Sequence, residues 1–114
     1  MKKSILLVLL TYSFGYAQVV APQPSPSTTV KQVVGLTDVE LSYSRPSMRG
    51  RTIMGALVPY GEMWRTGANR NTTLQFSDAV LVEGKSLAAG TYALFTRPGK
   101  ALWEVFFYTK TDNG

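Results

Sequence analysis

Near the C-terminal end of this 114-residue chain runs Ala101–Tyr108 (ALWEVFFY), with one charge, Glu104, in eight residues. Read as a strand, it is apolar on both faces: Ala101, Trp103, Val105 and Phe107 on one, Leu102, Phe106 and Tyr108 beside Glu104 on the other. Such a strand needs hydrogen-bonded neighbours and cover on both sides. It therefore predicts a sheet of several strands, and it predicts aggregation wherever the strand is left as a bare edge. Asp112-Asn113-Gly114 then supplies hairpin-turn chemistry with no returning strand after it. The expectation is a domain that continues beyond Gly114.

The rest of the chain repeats the pattern in shorter pieces. Thr28–Val34 is β-branched and is broken by Gly35. Val39, Leu41 and Tyr43 alternate with Glu40, Ser42 and Ser44, the period of a half-buried strand, up to Arg45-Pro46. Thr72–Ser77 places Leu74 and Phe76 on one face. Ala79–Val82 and Lys85–Leu87 flank a tight turn at Glu83-Gly84. Thr91–Thr96 follows, and Arg97-Pro98-Gly99-Lys100 has the Pro and Gly placement of a β-turn. Short turns make the connections antiparallel. The expected fold is all-β: an antiparallel β-sandwich or partly open barrel with one long loop, preceded by a signal-peptide helix.

The N-terminus reads as a targeting signal. Met1-Lys2-Lys3 is a basic start, Ser4–Phe14 is apolar, and Gly15-Tyr16-Ala17 places small residues at the −3 and −1 positions of a cleavage site. The apolar run is shorter than the about 20 residues a membrane-spanning helix needs. The expected organisation is a signal peptide at 1–17, a Pro-rich linker at 18–27 (prolines at 22, 24 and 26 favour an extended, helix-free tether) and a β-rich domain at 28–114. No membrane span remains after cleavage, and the product is exported to the periplasm or beyond.

Export changes the charge argument. The whole chain carries +5 and has a pI near 9.7. Removing residues 1–17 takes Lys2 and Lys3 and leaves ten basic residues against seven acids. That excess is too small, and too far from any recognisable motif, to suggest nucleic acid as a partner. The chain has no Cys and no His. A disulfide, a thiol nucleophile, Ser-His-Asp chemistry and an ordinary zinc site are therefore excluded by composition. No cofactor is indicated, and no Asp/Asn-rich loop suggests calcium.

What remains is the stretch Arg45–Asn71 (RPSMRGRTIMGALVPYGEMWRTGANRN). It holds five of the twelve basic residues and a single acid, Glu62. A loop of this length in a small domain is either functional or a structured arm. Ile53–Val58 reads as an apolar patch with a single helical turn, and Glu62–Arg65 as a short strand or an irregular crossing. Guanidinium groups of Arg45, Arg51 and Arg65, with backbone N–H groups of Gly67, Ala68 and Asn69, are the parts of an anion site. Tyr60 and Trp64, with Asn69 beside them, are the parts of a sugar platform. The candidate ligand-binding set is Arg45, Arg51, Tyr60, Trp64, Arg65 and Asn69, for an anionic small molecule or a glycan. Arg49 and Arg70 read as solvated, and Trp64 equally suits a plug that fastens the loop to the sheet. An envelope carbohydrate-active enzyme would have to use Glu62, which has no second carboxyl placed beside it. A third alternative is a structural or assembly protein without a small-molecule ligand.

Several of these strings occur together in one family. Ser44-Arg45-Pro46-Ser47, Gly50-Arg51, Leu57-Val58-Pro59-Tyr60-Gly61, Trp64-Arg65-Thr66-Gly67-Ala68-Asn69 and Leu87-Ala88-Ala89-Gly90-Thr91-Tyr92-Ala93-Leu94-Phe95 resemble the domain-of-unknown-function family numbered 2911, over Ser27 to Gly114. The resemblance implies export from a Gram-negative bacterium and a β-rich fold with further strands beyond this point. It implies no activity.

Overall fold

The computed structural model describes Gly15 and residues 17–112. The apolar part of the expected signal peptide, and the Asn113-Gly114 turn, lie outside the described residues. Seven strands form: β1 Ser27–Val34, β2 Thr37–Ser44, β3 Thr73–Phe76, β4 Val80–Val82, β5 Lys85–Leu87, β6 Gly90–Arg97 and β7 Glu104–Tyr108. Five of them make one antiparallel sheet in the order β1-β2-β3-β6-β7, and β4-β5 make a separate two-stranded ribbon. The described part is all-β, antiparallel and not closed into a barrel, with β1 and β7 at the two edges. Among the described residues no helix is long and apolar enough to cross a membrane.

Local chemistry explains the connections. Val34 faces Thr37 across a two-residue turn that opens on Gly35 at φ 62, the left-handed conformation that such hairpins require at their first position. Glu83 and Gly84 are both at positive φ, 48 and 76, and close the β4–β5 hairpin.

The register sorts the sheet into two unlike halves. Leu41 faces Leu74, Leu74 faces Tyr92, and Leu94 faces Phe107, so one surface carries a continuous apolar band. Phe76, Tyr92 and Phe107 follow each other along it at ring separations of 6.3 and 6.1 Å. Phe76 and Tyr92 are buried, and the Tyr92 hydroxyl donates to Ala88 O at 2.7 Å. Behind the band, β1–β3 are polar: Lys31 pairs with Glu40 at 3.1 Å and Thr29 with Ser42 at 3.1 Å. Behind β6–β7 the surface is apolar again, with Ala93 buried and Phe95 edge-on to Tyr108 at 5.3 Å. The two apolar faces read in Ala101–Tyr108 thus have their counterpart in β6, which is apolar on both faces as well.

Two expectations are corrected here. The last strand begins at Glu104, not Ala101. A Cβ at Gly99 would lie 2.4 Å from Leu102 O, so the chain after Pro98 folds tightly on itself and draws residues 99–103 into a wider turn. Pro98 is fully buried at its base. Ile53–Val58 does not form a helical turn. Gly55 N donates to Val58 O and Val58 N to Ile53 O, a tight coil closed by a bridge between Met54 and Val58. Gly55 at φ 80 permits that bend, and no regular helical series fits it. Among the described residues β7 pairs only with β6 and lies at the edge of the sheet.

Candidate functional site

The loop 45–71 is bound to one end of the sheet by backbone hydrogen bonds. Trp64 and Thr96 exchange both of theirs, at 2.8 and 2.9 Å, so the loop prolongs the β3 side of β6 for one residue pair. Gly61 N donates to Pro98 O at 2.8 Å and Ala68 N to Ser44 O at 3.3 Å. A hydroxyl cluster lies beneath. Thr66 Oγ1 meets Thr96 Oγ1 at 2.9 Å, and Thr72 Oγ1 donates to Thr66 O at 3.0 Å. Thr72 and Thr96 are buried, and so is Ser44. The fully satisfied cluster fixes Trp64–Ala68 against the ends of β2, β3 and β6.

Backbone conformation concentrates on this loop. Arg49, Thr66 and Asn69 are at φ 51, 58 and 59, three of the four non-glycine residues at positive φ among the described residues. Asn tolerates that region, but for a β-branched residue such as Thr66 it is strained. The strain is held by the hydroxyl bonds of Thr66 on one side and by Arg65 on the other, whose Nη1 donates to Asn69 O.

Above this base lies an open groove of about 660 Å³. Four of the six sequence-predicted residues line it: Arg51, Trp64, Arg65 and Asn69. Arg45 and Tyr60 do not. Arg45 uses its backbone N–H to extend the β1–β2 ladder onto Pro26 O at 2.9 Å. The Tyr60 ring lies over Gly55, where a Cβ would come within 2.7 Å of it. Arg51 is partly committed to its own turn, donating from Nε to Met48 O at 3.0 Å and from Nη2 to Ser47 O at 2.9 Å. Trp64 is half-buried and stands edge-on to Trp103, with ring centroids 6.3 Å apart at 71°. It both fastens the loop and leaves surface to the groove.

Two contributions escaped the reading of the sequence. Arg49 lines the groove as a third guanidinium. Pro24 and Ser25 also line it, although their segment reads as a bare linker. Only the fold brings Ser25 beside Asn69, 44 positions away, where Asn69 Nδ2 donates to Ser25 O at 3.3 Å.

The electrostatics single this groove out. Among the described residues no acidic side chain lines it. Two smaller grooves among the described residues, of about 320 and 520 Å³, mix signs: Lys31 with Asp38 and Glu40 in one, Arg70 with Asp112 in the other. Glu62 is exposed, stands outside the large groove and forms no ion pair among the described residues. Among the described residues no group of three or more His, Cys, Asp or Glu could hold a metal ion.

Compared with known protein families, residues 25–114 match the family described as "Protein of unknown function (DUF2911)". No curated protein and no solved structure matches the chain.

Proposed function

The chain belongs to the DUF2911 family, and we propose that it is an exported binding module whose loop 45–71 takes an anionic ligand, an acidic glycan being the class that suits it best. One observation carries this reading: Arg49, Arg51 and Arg65 line one groove with Trp64, and among the described residues no carboxylate lines it with them. Guanidinium groups free of acid partners attract carboxylate, sulfate or phosphate. A half-exposed indole covers the apolar face of a sugar ring, and Asn69 offers a polar edge for its hydroxyls. Met48, Leu57 and Pro46 make the remaining lining largely apolar, as small-ligand sites usually are.

The test is calorimetric titration of residues 18–114 with a short oligogalacturonate and with the neutral galactose oligomer of the same length. The acidic oligomer binds, and its affinity falls as salt is raised. Arg49→Asn removes a charge at a residue whose φ of 51 suits Asn. It weakens binding about tenfold and leaves the unliganded melting temperature unchanged or higher. Equal binding of the neutral oligomer, or an Arg49→Asn affinity equal to that of the parent, overturns the reading.

A further inference from the structure

The Pro-rich segment before the first strand is more than a spacer. Its end is fastened to the loop at two successive carbonyls: Ser25 O accepts from Asn69 Nδ2 at 3.3 Å, and Pro26 O accepts from Arg45 N at 2.9 Å. Ser25 is half-buried, whereas its neighbours Pro24 and Pro26 are exposed. Pro24 and Ser25 line the same groove as the three arginines. The segment Gln18–Ser27 carries no charge, and its prolines at 22, 24 and 26 hold it extended at little entropic cost when it docks.

We infer that this segment is one wall of the ligand site, docked through Asn69, and that its docking and the binding of an acidic glycan stabilise each other. This rests on the function proposed above. An uncharged wall beside the arginines suits a ligand with one anionic edge and one apolar face, which an acidic pyranose has. Asn69 is then a positioning residue: its side chain holds the wall, and its carbonyl holds Arg65. Linkage is reciprocal, so a ligand that touches the docked wall tightens docking by the factor by which docking tightens the ligand.

The chain has no cysteine, so Val20→Cys, at a residue 88% exposed, gives a single labelling site on the segment. Fluorescence anisotropy of a dye there reads docking without any ligand. Asn69→Gly keeps the backbone's positive φ and deletes the hydrogen bond. The anisotropy falls in that variant, and in the parent it rises on adding oligogalacturonate. A chain beginning at Pro26 keeps its far-UV circular dichroism and binds oligogalacturonate about tenfold more weakly, the loss expected when a preorganised wall is removed. Anisotropy indifferent to Asn69→Gly overturns docking. Unchanged affinity in the shortened chain overturns the wall's part in the site. If oligogalacturonate binds no form of the protein, the proposed function and the coupling fall together, while the Asn69→Gly anisotropy still decides docking.

Discussion

Gly67 lies against Thr72 so closely that a Cβ on Gly67 would be 2.9 Å from Thr72 Oγ1 and 3.3 Å from Ser44 O. Neither neighbour can retreat at little cost. Thr72 is 2% exposed and spends its hydroxyl on Thr66 O, and Ser44 O accepts from Ala68 N. Gly67 is therefore required for close approach rather than for a positive φ. Gly67→Ala is expected to destabilise the domain by about 1–3 kcal/mol, the usual cost of overpacking. Chemical denaturation of the two proteins measures it, and a loss below about 0.5 kcal/mol, the range of ordinary surface substitutions, contradicts the packing described.

Thr66 balances strain against a hydrogen bond. Its positive φ costs on the order of 1–3 kcal/mol, which glycine would relieve. Yet its hydroxyl is the partner of Thr96 Oγ1, and Thr96 is buried. Thr66→Gly leaves that hydroxyl unpaired at a cost of about 1–3 kcal/mol and adds the flexibility of glycine to the unfolded chain. The single substitution is expected to be destabilising. In a Thr96→Val background no buried hydroxyl is left unpaired, and Thr66→Gly then costs about 1 kcal/mol less. The four proteins of this cycle, unfolded in urea, give the coupling directly. Additive effects would place the restraint on Thr66 elsewhere.

How much of this was legible follows from where each signal resides. Period-two alternation was the signal for β2 and β3, in which Leu41 and Leu74 share the apolar face and Glu40 and Gln75 the polar one; β1 was marked by its β-branched residues, and β4 and β5 by the turn between them. The turns at Gly35 and Glu83-Gly84 announced themselves through glycine. The start of β7 did not, since the close approach of Gly99 to Leu102 O is a tertiary fact. Within the candidate site, the clustering of Arg51, Trp64, Arg65 and Asn69 was visible as a run of chemically suited residues. The exclusion of Arg45 and Tyr60 was not: Arg45 belongs to the end of the β1–β2 ladder, where its N–H meets Pro26 O, and the Tyr60 ring lies over Gly55. The inclusion of Ser25 was equally hidden, for no composition rule says which part of a Pro-rich stretch meets a loop 44 positions later.

Arg51 illustrates why the side chain's shape matters as well as its charge. Its Nε and Nη2 donate to the carbonyls of Met48 and Ser47, closing the turn that carries Arg49 and Gly50 at positive φ. Lysine keeps the charge but is a point donor that cannot span two carbonyls in a fixed fork. Arg51→Lys is expected to destabilise by about 1 kcal/mol, near the value of one net hydrogen bond. It should also speed amide hydrogen exchange at residue 51, whose N–H donates to Met48 O. Unchanged protection there would mean that the side chain does not hold the turn.

At the far edge of the sheet, Arg97 and Glu104 face each other across β6 and β7 with Nη1 and Oε2 2.8 Å apart, and the Arg97 guanidinium lies 5.2 Å from the centre of the Phe106 ring. The two contacts are separable by mutation. Both side chains are more than a third exposed, so solvent screens the ion pair and Glu104→Gln is expected to cost only about 0.2–1 kcal/mol. Arg97→Ala also removes the guanidinium from the aromatic face and uncovers Phe106. It is expected to cost about 0.5–1 kcal/mol more than Glu104→Gln. Raising salt to 1 M, about the level at which screening reaches contact distance, should abolish the Glu104→Gln difference and leave most of the Arg97→Ala difference in place. Equal losses that vanish together in salt would reduce Arg97 to its charge and remove Phe106 from the account.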